Sequence, residues 1–302
     1  MKVVVFGGSG FLGSHVVDRL NDKGYDVTIY DTIKSPYSTK NVNMVIGDIL
    51  NQELVQKAVK DASYVYHFAG IAGLADARKD PVTTVKNNVL GTTYILDACK
   101  TEQVKRFIFA STIYVYSELG SFYRSTKQSC ELLIENYFDI YNLDYTIIRY
   151  GSLYGKRAND FNFVHAAIKE ALINRKIIRE GNGNEIRDYI HVKDAAIASV
   201  DVLKEKYNNS YILISGSQSI KVKDLLKMIN EILDNQIDIN YTDKRLDDHY
   251  EITPYSFRPR LAKKYLVKEY HDLGQGILNC IYDLYKELDN KGENKLKINL
   301  TD

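Results

Sequence analysis

Short apolar runs and longer amphipathic stretches alternate through the first half of the chain. KVVVF (2–6), DVTIY (26–30), NMVI (43–46), YVYH (64–67), RFIFA (106–110) and DYTIIR (144–149) have the length and β-branched content of strands. Between them, residues 12–23, 51–60, 81–100 and 123–142 carry apolar positions at helical spacing. Near-continuous apolar strands separated by helices imply βαβ units and a parallel sheet covered on both faces. The expected fold is therefore α/β, a doubly wound parallel-sheet domain of Rossmann type over residues 1–158.

Beyond that point the pattern mixes. Helical periodicity returns at 161–174, 192–206 and 222–233, interrupted by the Gly/Asn-containing stretch EGNGNEIRDYIHV (180–192) and a strand-like YILIS (211–215). This predicts a smaller α+β substrate-binding lobe over 159–290, with segments returning to the first sheet. Residues 291–302 form a polar tail expected to fray.

Composition narrows the function classes. With 45% hydrophobic and 26% charged residues the chain can bury a large core, and its net charge of +1 provides no overall field for nucleic acid or an anionic membrane. No apolar run approaches the roughly 18 residues of a membrane span. MKVVVFGGSGFLG reads as a first strand and turn rather than a signal peptide. Cys99, Cys130 and Cys280 are far apart and odd in number, which suits reduced thiols and a cytoplasmic location. The six histidines show no metal-ligand spacing, so no metal site is expected.

Candidate chemistry begins where strand meets helix. GGSGFLG (7–13) follows the first strand, the place where glycines let a backbone approach a dinucleotide pyrophosphate at a helix N-terminus. Asp31 ends the second strand, where a carboxylate accepts bonds from ribose hydroxyls and repels a 2′-phosphate. This favours NAD over NADP.

FYRSTK (122–127) raises a different possibility. Tyr123 and Lys127 stand four apart, so a helix puts them on one face. The same spacing recurs at Tyr30/Lys34, across a strand end, and at Tyr282/Lys286, in a C-terminal amphipathic helix where surface packing explains it. Only the middle pair follows a strand that ends in Ser111 and Thr112, where a parallel sheet opens onto its ligand crevice. Free tyrosine titrates near 10, so reaching pH 7 requires about 4 kcal/mol. One positive charge about 5 Å away contributes about 3 kcal/mol at an effective dielectric of 20. Lys127 and an oxidised nicotinamide are two such charges, so Tyr123 is expected to act as a base with Thr112 holding the reacting oxygen.

In order along the chain, GGSGFLG, Asp31, GDI (47–49), HFAG (67–70), the DP…NNVLGT run (80–92), ASTIYVYS (110–117), YRSTK, RYGSLYG (149–155) and RDYIHVKD (187–194) resemble the extended short-chain dehydrogenase/reductases. Within these, the resemblance is to the nucleotide-sugar epimerase and dehydratase family, with HFAG most similar to UDP-galactose 4-epimerases. The resemblance implies that Gly7, Gly10, Phe11, Leu12 and Gly13 hold the pyrophosphate, Asp31 the adenosine ribose, and Asp48 and Ile49 the adenine. It places Phe68, Ala69 and Gly70 along the cofactor, and Asn88, Ser111, Tyr123, Lys127 and Tyr150 near its nicotinamide half. It assigns Thr112, Tyr123 and Lys127 to catalysis, and Ser152, Arg187 and Arg245 to a nucleotide-diphosphate sugar.

The chain also departs from the family. Ile113 and Tyr114 stand where sugar 4,6-dehydratases resemble Asp-Glu, so dehydration lacks its acid pair. The segment from Thr112 to Tyr123 is short, Ser152 replaces a common asparagine, and Lys156 replaces a common proline. The expected activity is oxidation of a sugar C4 hydroxyl and return of hydride to the opposite face, an epimerisation using NAD. The alternatives are a 4-dehydrogenase or 4-keto-sugar reductase at the same site, and a non-catalytic NAD-binding protein. Apolar residues on more than one face of 81–100 and 123–142 predict a homodimer.

Overall fold

The computed structural model describes residues 1–37, 41–242, 249–254, 262–267 and 269–296. The chain divides into two units, 1–150 with 195–214 and 254–266, and 151–194 with 215–253 and 267–302. Strands and helices are numbered along the chain.

In the first unit, β1 (Lys2–Phe6), β2 (Asp26–Asp31), β3 (Val42–Ile46), β4 (Tyr64–His67), β5 (Arg106–Thr112) and β6 (Tyr145–Tyr150) join β10 (Ser210–Ile214) and β13 (Lys263–Lys264). They form one sheet in the order β13-β10-β6-β5-β4-β1-β2-β3, and every pairing is parallel. All six residues of β6 and four of the five in β1 are buried, as in a sheet covered on both faces. The order reverses between β1 and β4, so the crevice beyond their C-terminal ends is where a ligand of such a sheet sits. This is the doubly wound parallel architecture expected from the strand pattern.

The intervening helices are α1 (Phe11–Asp22), α2 (Gln52–Val59), α3 (Leu74–Lys79), α4 (Pro81–Val85), α5 (Gly91–Thr101), α6 (Ser121–Tyr141) and α8 (Val192–Asp201). The helix expected over 81–100 is broken by a π turn at Lys86–Leu90. Its extra residue turns Asn88 inward, where the amide is fully used. Asn88 Nδ2 donates to Ile71 O and to Thr126 Oγ1, both at 3.0 Å, while its Oδ1 accepts from Ile71 N at 2.7 Å. One side chain thus ties the loop after β4 to α6, an arrangement that periodicity cannot reveal.

The second unit contains β7 (Ser152–Tyr154), β8 (Lys176–Glu180), β9 (Ile186–His191), β11 (Ser219–Lys221), β12 (Asp238–Thr242), α7 (Phe163–Asn174), α9 (Val222–Ile232) and α10 (Leu273–Asn290). Its strands make a three-stranded sheet, β11-β9-β7, and a β12-β8 pair. These strands are short, and only β7, within RYGSLYG, and β9, within the stretch that includes RDYIHVKD, coincide with sequence motifs. The segment expected to fray from 291 is packed as far as Leu296, which is 2% exposed, with Lys295 N donating to Leu172 O at 3.3 Å. A single leucine in a polar run is enough to anchor it. Among the described residues, no helix is long and apolar enough to cross a membrane.

Candidate active site

The glycine turn is built by close backbone contact. A Cβ on Gly13 would lie 2.1 Å from the Gly7 carbonyl oxygen, and one on Gly7 would lie 2.5 Å from Ala69 N. Gly7 also holds φ at +78°, which suits glycine. Gly10 caps α1 without a side-chain hydrogen bond, so the first-turn N–H groups of Phe11, Leu12 and Gly13 keep the character of an anion site. Asp31 Oδ2 accepts from Ser9 N at 2.9 Å, fixing the half-buried carboxylate beside this turn. A shaped backbone cradle with an acid at the end of β2 fits a dinucleotide without a 2′-phosphate. Next to it, Phe68 N and Ala69 N both donate to Phe6 O, which holds the loop after β4 against β1. Asp48 is exposed, whereas the Ile49 side chain is 6% exposed and turned into the core against Gly91.

At the end of β5 the Thr112 hydroxyl is hydrogen-bonded to the Tyr123 phenol and accepts from Tyr114 N at 3.2 Å. Gly120, at φ +102°, starts α6 so closely that a Cβ there would meet the Tyr114 ring at 2.8 Å. Lys127 is 6% exposed; its Nζ donates to Ala110 O at 2.8 Å and lies 6.0 Å from the Tyr123 ring centroid. Thr112, Tyr123 and Lys127 therefore converge. Tyr114 packs edge-on against Tyr123, so an aromatic ring stands at the position that an acid takes in the dehydratase pattern.

The electrostatics describe the site before a cofactor adds its charge. Burial pushes Tyr123 up to about 12, and the Thr112 hydrogen bond lowers it only in part. Lys127 is itself pulled down to about 8 by burial, against the raising influence of Cys130 and Glu131. The lysine charge does not outweigh desolvation of the phenol here, so the resting tyrosine is a neutral proton donor.

Two side chains expected at the nicotinamide half are otherwise engaged. Ser111 Oγ donates to Glu131 Oε1 at 2.6 Å, because neighbouring strand residues point to opposite faces. The Tyr150 hydroxyl shares a 2.6 Å hydrogen bond with Ser199 Oγ, and burial raises its value. The other Tyr/Lys pairs are structural. Tyr30 is fully buried and donates to Asp48 O at 2.7 Å, while Lys286 Nζ sits 4.1 Å from the Tyr282 ring centroid.

Sequence reasoning missed the groups behind Lys127. Glu131 receives Arg149 Nε at 2.9 Å and Arg149 Nη2 at 2.6 Å, and Arg149 Nη1 donates to the Tyr116 hydroxyl at 2.6 Å. The signal was available, since Glu131 continues the four-residue spacing of Tyr123 and Lys127.

Within the second unit, Arg187 is 7% exposed, with its guanidinium 4.0 Å from the Tyr250 ring centroid and Nη1 donating to Ile186 O at 2.9 Å. Tyr250 in turn is hydrogen-bonded to the Ser152 side chain. Arg187 and Ser152 thus belong to one cluster, and Tyr250 is a member that the sequence did not suggest. Arg245 lies outside the described residues. Among the described residues, no group of three or more His, Cys, Asp or Glu side chains could hold a metal ion.

Comparison with known proteins agrees with this geometry. The chain is 28% identical over 257 residues to the UDP-N-acetyl-alpha-D-glucosaminuronate decarboxylase of Bacillus cytotoxicus, covering 76% of this chain and 80% of the relative. It is 27% identical over 283 residues to the UDP-glucose 4-epimerase of Rhizobium meliloti, covering 82% and 86%. The UDP-glucuronic acid 4-epimerase of Bacillus cereus, solved with UDP-glucuronic acid and NAD, superposes with a TM-score of 0.84 at 27% identity. That match covers 95% of this chain and all of the other. The family model described as "NAD dependent epimerase/dehydratase family" matches residues 3–213. With its parallel sheet, glycine cradle and Thr112–Tyr123–Lys127 cluster, the chain belongs to this NAD dependent epimerase/dehydratase family, and its cofactor is NAD.

Proposed function

We propose that the protein is a UDP-sugar 4-epimerase that oxidises a C4 hydroxyl to a ketone and re-reduces it on the opposite face. The observation that carries this reading is the hydrogen bond from Thr112 to Tyr123 with the Lys127 ammonium behind it. When bound, NAD accepts and returns the hydride, and its oxidised ring adds a positive charge to that of Lys127, which favours loss of the Tyr123 proton. Tyr123 then takes the C4 hydroxyl proton and gives it back after the ketone has turned, while Thr112 orients the same oxygen. Gly7, Gly10, Phe11, Leu12 and Gly13 hold the pyrophosphate, Asp31 the ribose, and Arg187 and Ser152 the sugar-nucleotide. The reading of 1–158 as the cofactor domain and 159–290 as the substrate lobe goes with these roles, apart from Ser152, which belongs with the second unit that begins at Gly151.

Two further features belong to the proposal. Val82, Val85 and Leu132 are 65%, 47% and 61% exposed on α4 and α6, an apolar surface that suits a homodimer. Three buried free thiols suit the reducing cytoplasm. A second reading, release of the ketone as a 4-dehydrogenase or 4-keto-sugar reductase, draws support from the short connection between Thr112 and Tyr123, a single 3-10 turn and four residues before α6.

The test is incubation of the purified protein with NAD and a panel of UDP-glucose, UDP-galactose, UDP-glucuronic acid and their N-acetyl analogues, with Tyr123→Phe alongside. Epimerisation gives the C4 epimer with only transient NADH, and Tyr123→Phe slows it by about 10²–10⁴. Accumulating NADH and ketone would replace the first reading by the second. Full activity in Tyr123→Phe would refute both.

A further inference from the structure

The face of α6 that carries Tyr123 and Lys127 continues to Glu131 one turn on, and three consecutive residues of β5 take up the three side chains. Ala110 O accepts from Lys127 Nζ at 2.8 Å, Ser111 Oγ donates to Glu131 Oε1 at 2.6 Å, and Thr112 is hydrogen-bonded to Tyr123. Glu131 is therefore fastened to the one strand residue that lies between the partners of the other two. Its carboxylate is almost fully buried and held in a fork by Arg149 Nε and Nη2. Arg149 is fixed in turn, with no exposure, between the rings of Tyr116 and Tyr211 at 4.6 and 4.5 Å. The Tyr116 hydroxyl that it donates to also accepts from Ala262 N at 2.8 Å.

Stability alone gives a poor account of this arrangement. A buried ion pair seldom does better than apolar residues of the same volume, because desolvation offsets the attraction. We infer that Glu131, oriented by Arg149 and Ser111, is a positioning residue for the proton-transfer pair: it sets the register of α6 on β5 and keeps the Lys127 ammonium charged. The inference rests on the reading of Tyr123 and Lys127 as that pair.

The surroundings of Lys127 leave this work to Glu131. His67 on β4 is held well below its ordinary value by burial and by Lys127, so it is neutral. Burial raises both the Cys130 thiol and the Tyr123 phenol, which stay neutral near pH 7. Arg149 on β6 is cationic and directed at Glu131. Against the loss that burial imposes on Lys127, Cys130 and Glu131 both push its value back up, and of the two Glu131 is the carboxylate of an ion pair, whereas the Cys130 thiol stays neutral near pH 7.

Titration of Lys127 can be read without substrate by NMR on protein carrying ε-13C-lysine, with Lys127→Met assigning the resonance. The unmodified protein should titrate at about 8, and Glu131→Gln should move the midpoint down by about one pH unit. An unmoved midpoint would overturn the electrostatic role. If Glu131→Gln does not fold, Glu131→Gln with Arg149→Gln leaves no lone buried charge and takes the same measurement. Ser111→Ala keeps the ion pair and deletes only the strap to β5. It should leave the Lys127 midpoint in place and lower kcat on the UDP-sugar turned over by about five- to tenfold, at unchanged NAD affinity. Unmodified kcat in Ser111→Ala would overturn the register role. Lys127→Met separates the two levels of the argument. If it retains turnover, the assignment of the pair itself is wrong. If it is inactive while the Glu131 variants titrate like the unmodified protein, only the role of Glu131 falls.

Discussion

Replacing Lys127 by methionine removes an ammonium from a site that is 6% exposed and leaves a side chain of similar length. Burial has drawn this lysine from 10.5 to about 8, so keeping it protonated at pH 7 costs the folded state about 3 kcal/mol. Methionine avoids that cost, but it leaves the Ala110 carbonyl without the Nζ donor that lies 2.8 Å away. A buried acceptor left unsatisfied costs about 1–3 kcal/mol, so Lys127→Met should be at least as stable as the unmodified protein at pH 7, by up to about 2 kcal/mol. Its activity should be lost, a direct exchange of stability for function. The pH dependence is the sharper signature. Between about 8 and 10.5 the unfolded lysine holds a proton that the folded one has released, so the stability of the unmodified protein rises with pH there. The advantage of the variant should shrink across that window. Urea denaturation of both proteins at pH 7, 8, 9 and 10 measures it. A gap that stays constant with pH, or a variant less stable at pH 7, would show that Lys127 is not the strained cation described here.

Three other outcomes are expected. Asp31→Ala should narrow the preference for NAD over NADP by about tenfold, because a carboxylate no longer faces the 2′-phosphate; equal affinities in the unmodified protein would refute the assignment. Arg187→Ala should raise KM for the UDP-sugar by about ten- to a hundredfold through loss of a charge-assisted contact, with NAD affinity unchanged. Unchanged KM would pass the diphosphate to another arginine. Light scattering at micromolar concentration should give a dimer for the unmodified protein and a monomer for Leu132→Glu, which puts a charge on a residue 61% exposed on α6. A monomer in both would reject the interface.

The alternation of apolar runs and amphipathic stretches determined the parallel doubly wound sheet, because strands covered on both faces must be apolar throughout and their crossovers must be helical. The glycine turn, Asp31 and the Tyr123/Lys127 spacing were equally legible, since each depends on local geometry: a tight turn, a strand end, one face of a helix. Other features depend on which distant residues meet, and only the tertiary structure decided them. The π turn exists because Asn88 bridges Ile71 and Thr126. Ser111 faces Glu131 once α6 is packed on the sheet, and Tyr150 faces Ser199 once α8 is. The short strands of the second unit and the anchoring of Leu296 follow from contacts far apart in sequence. The high value of Tyr123 and the low value of Lys127 are likewise consequences of burial, a property that spacing along the chain does not contain.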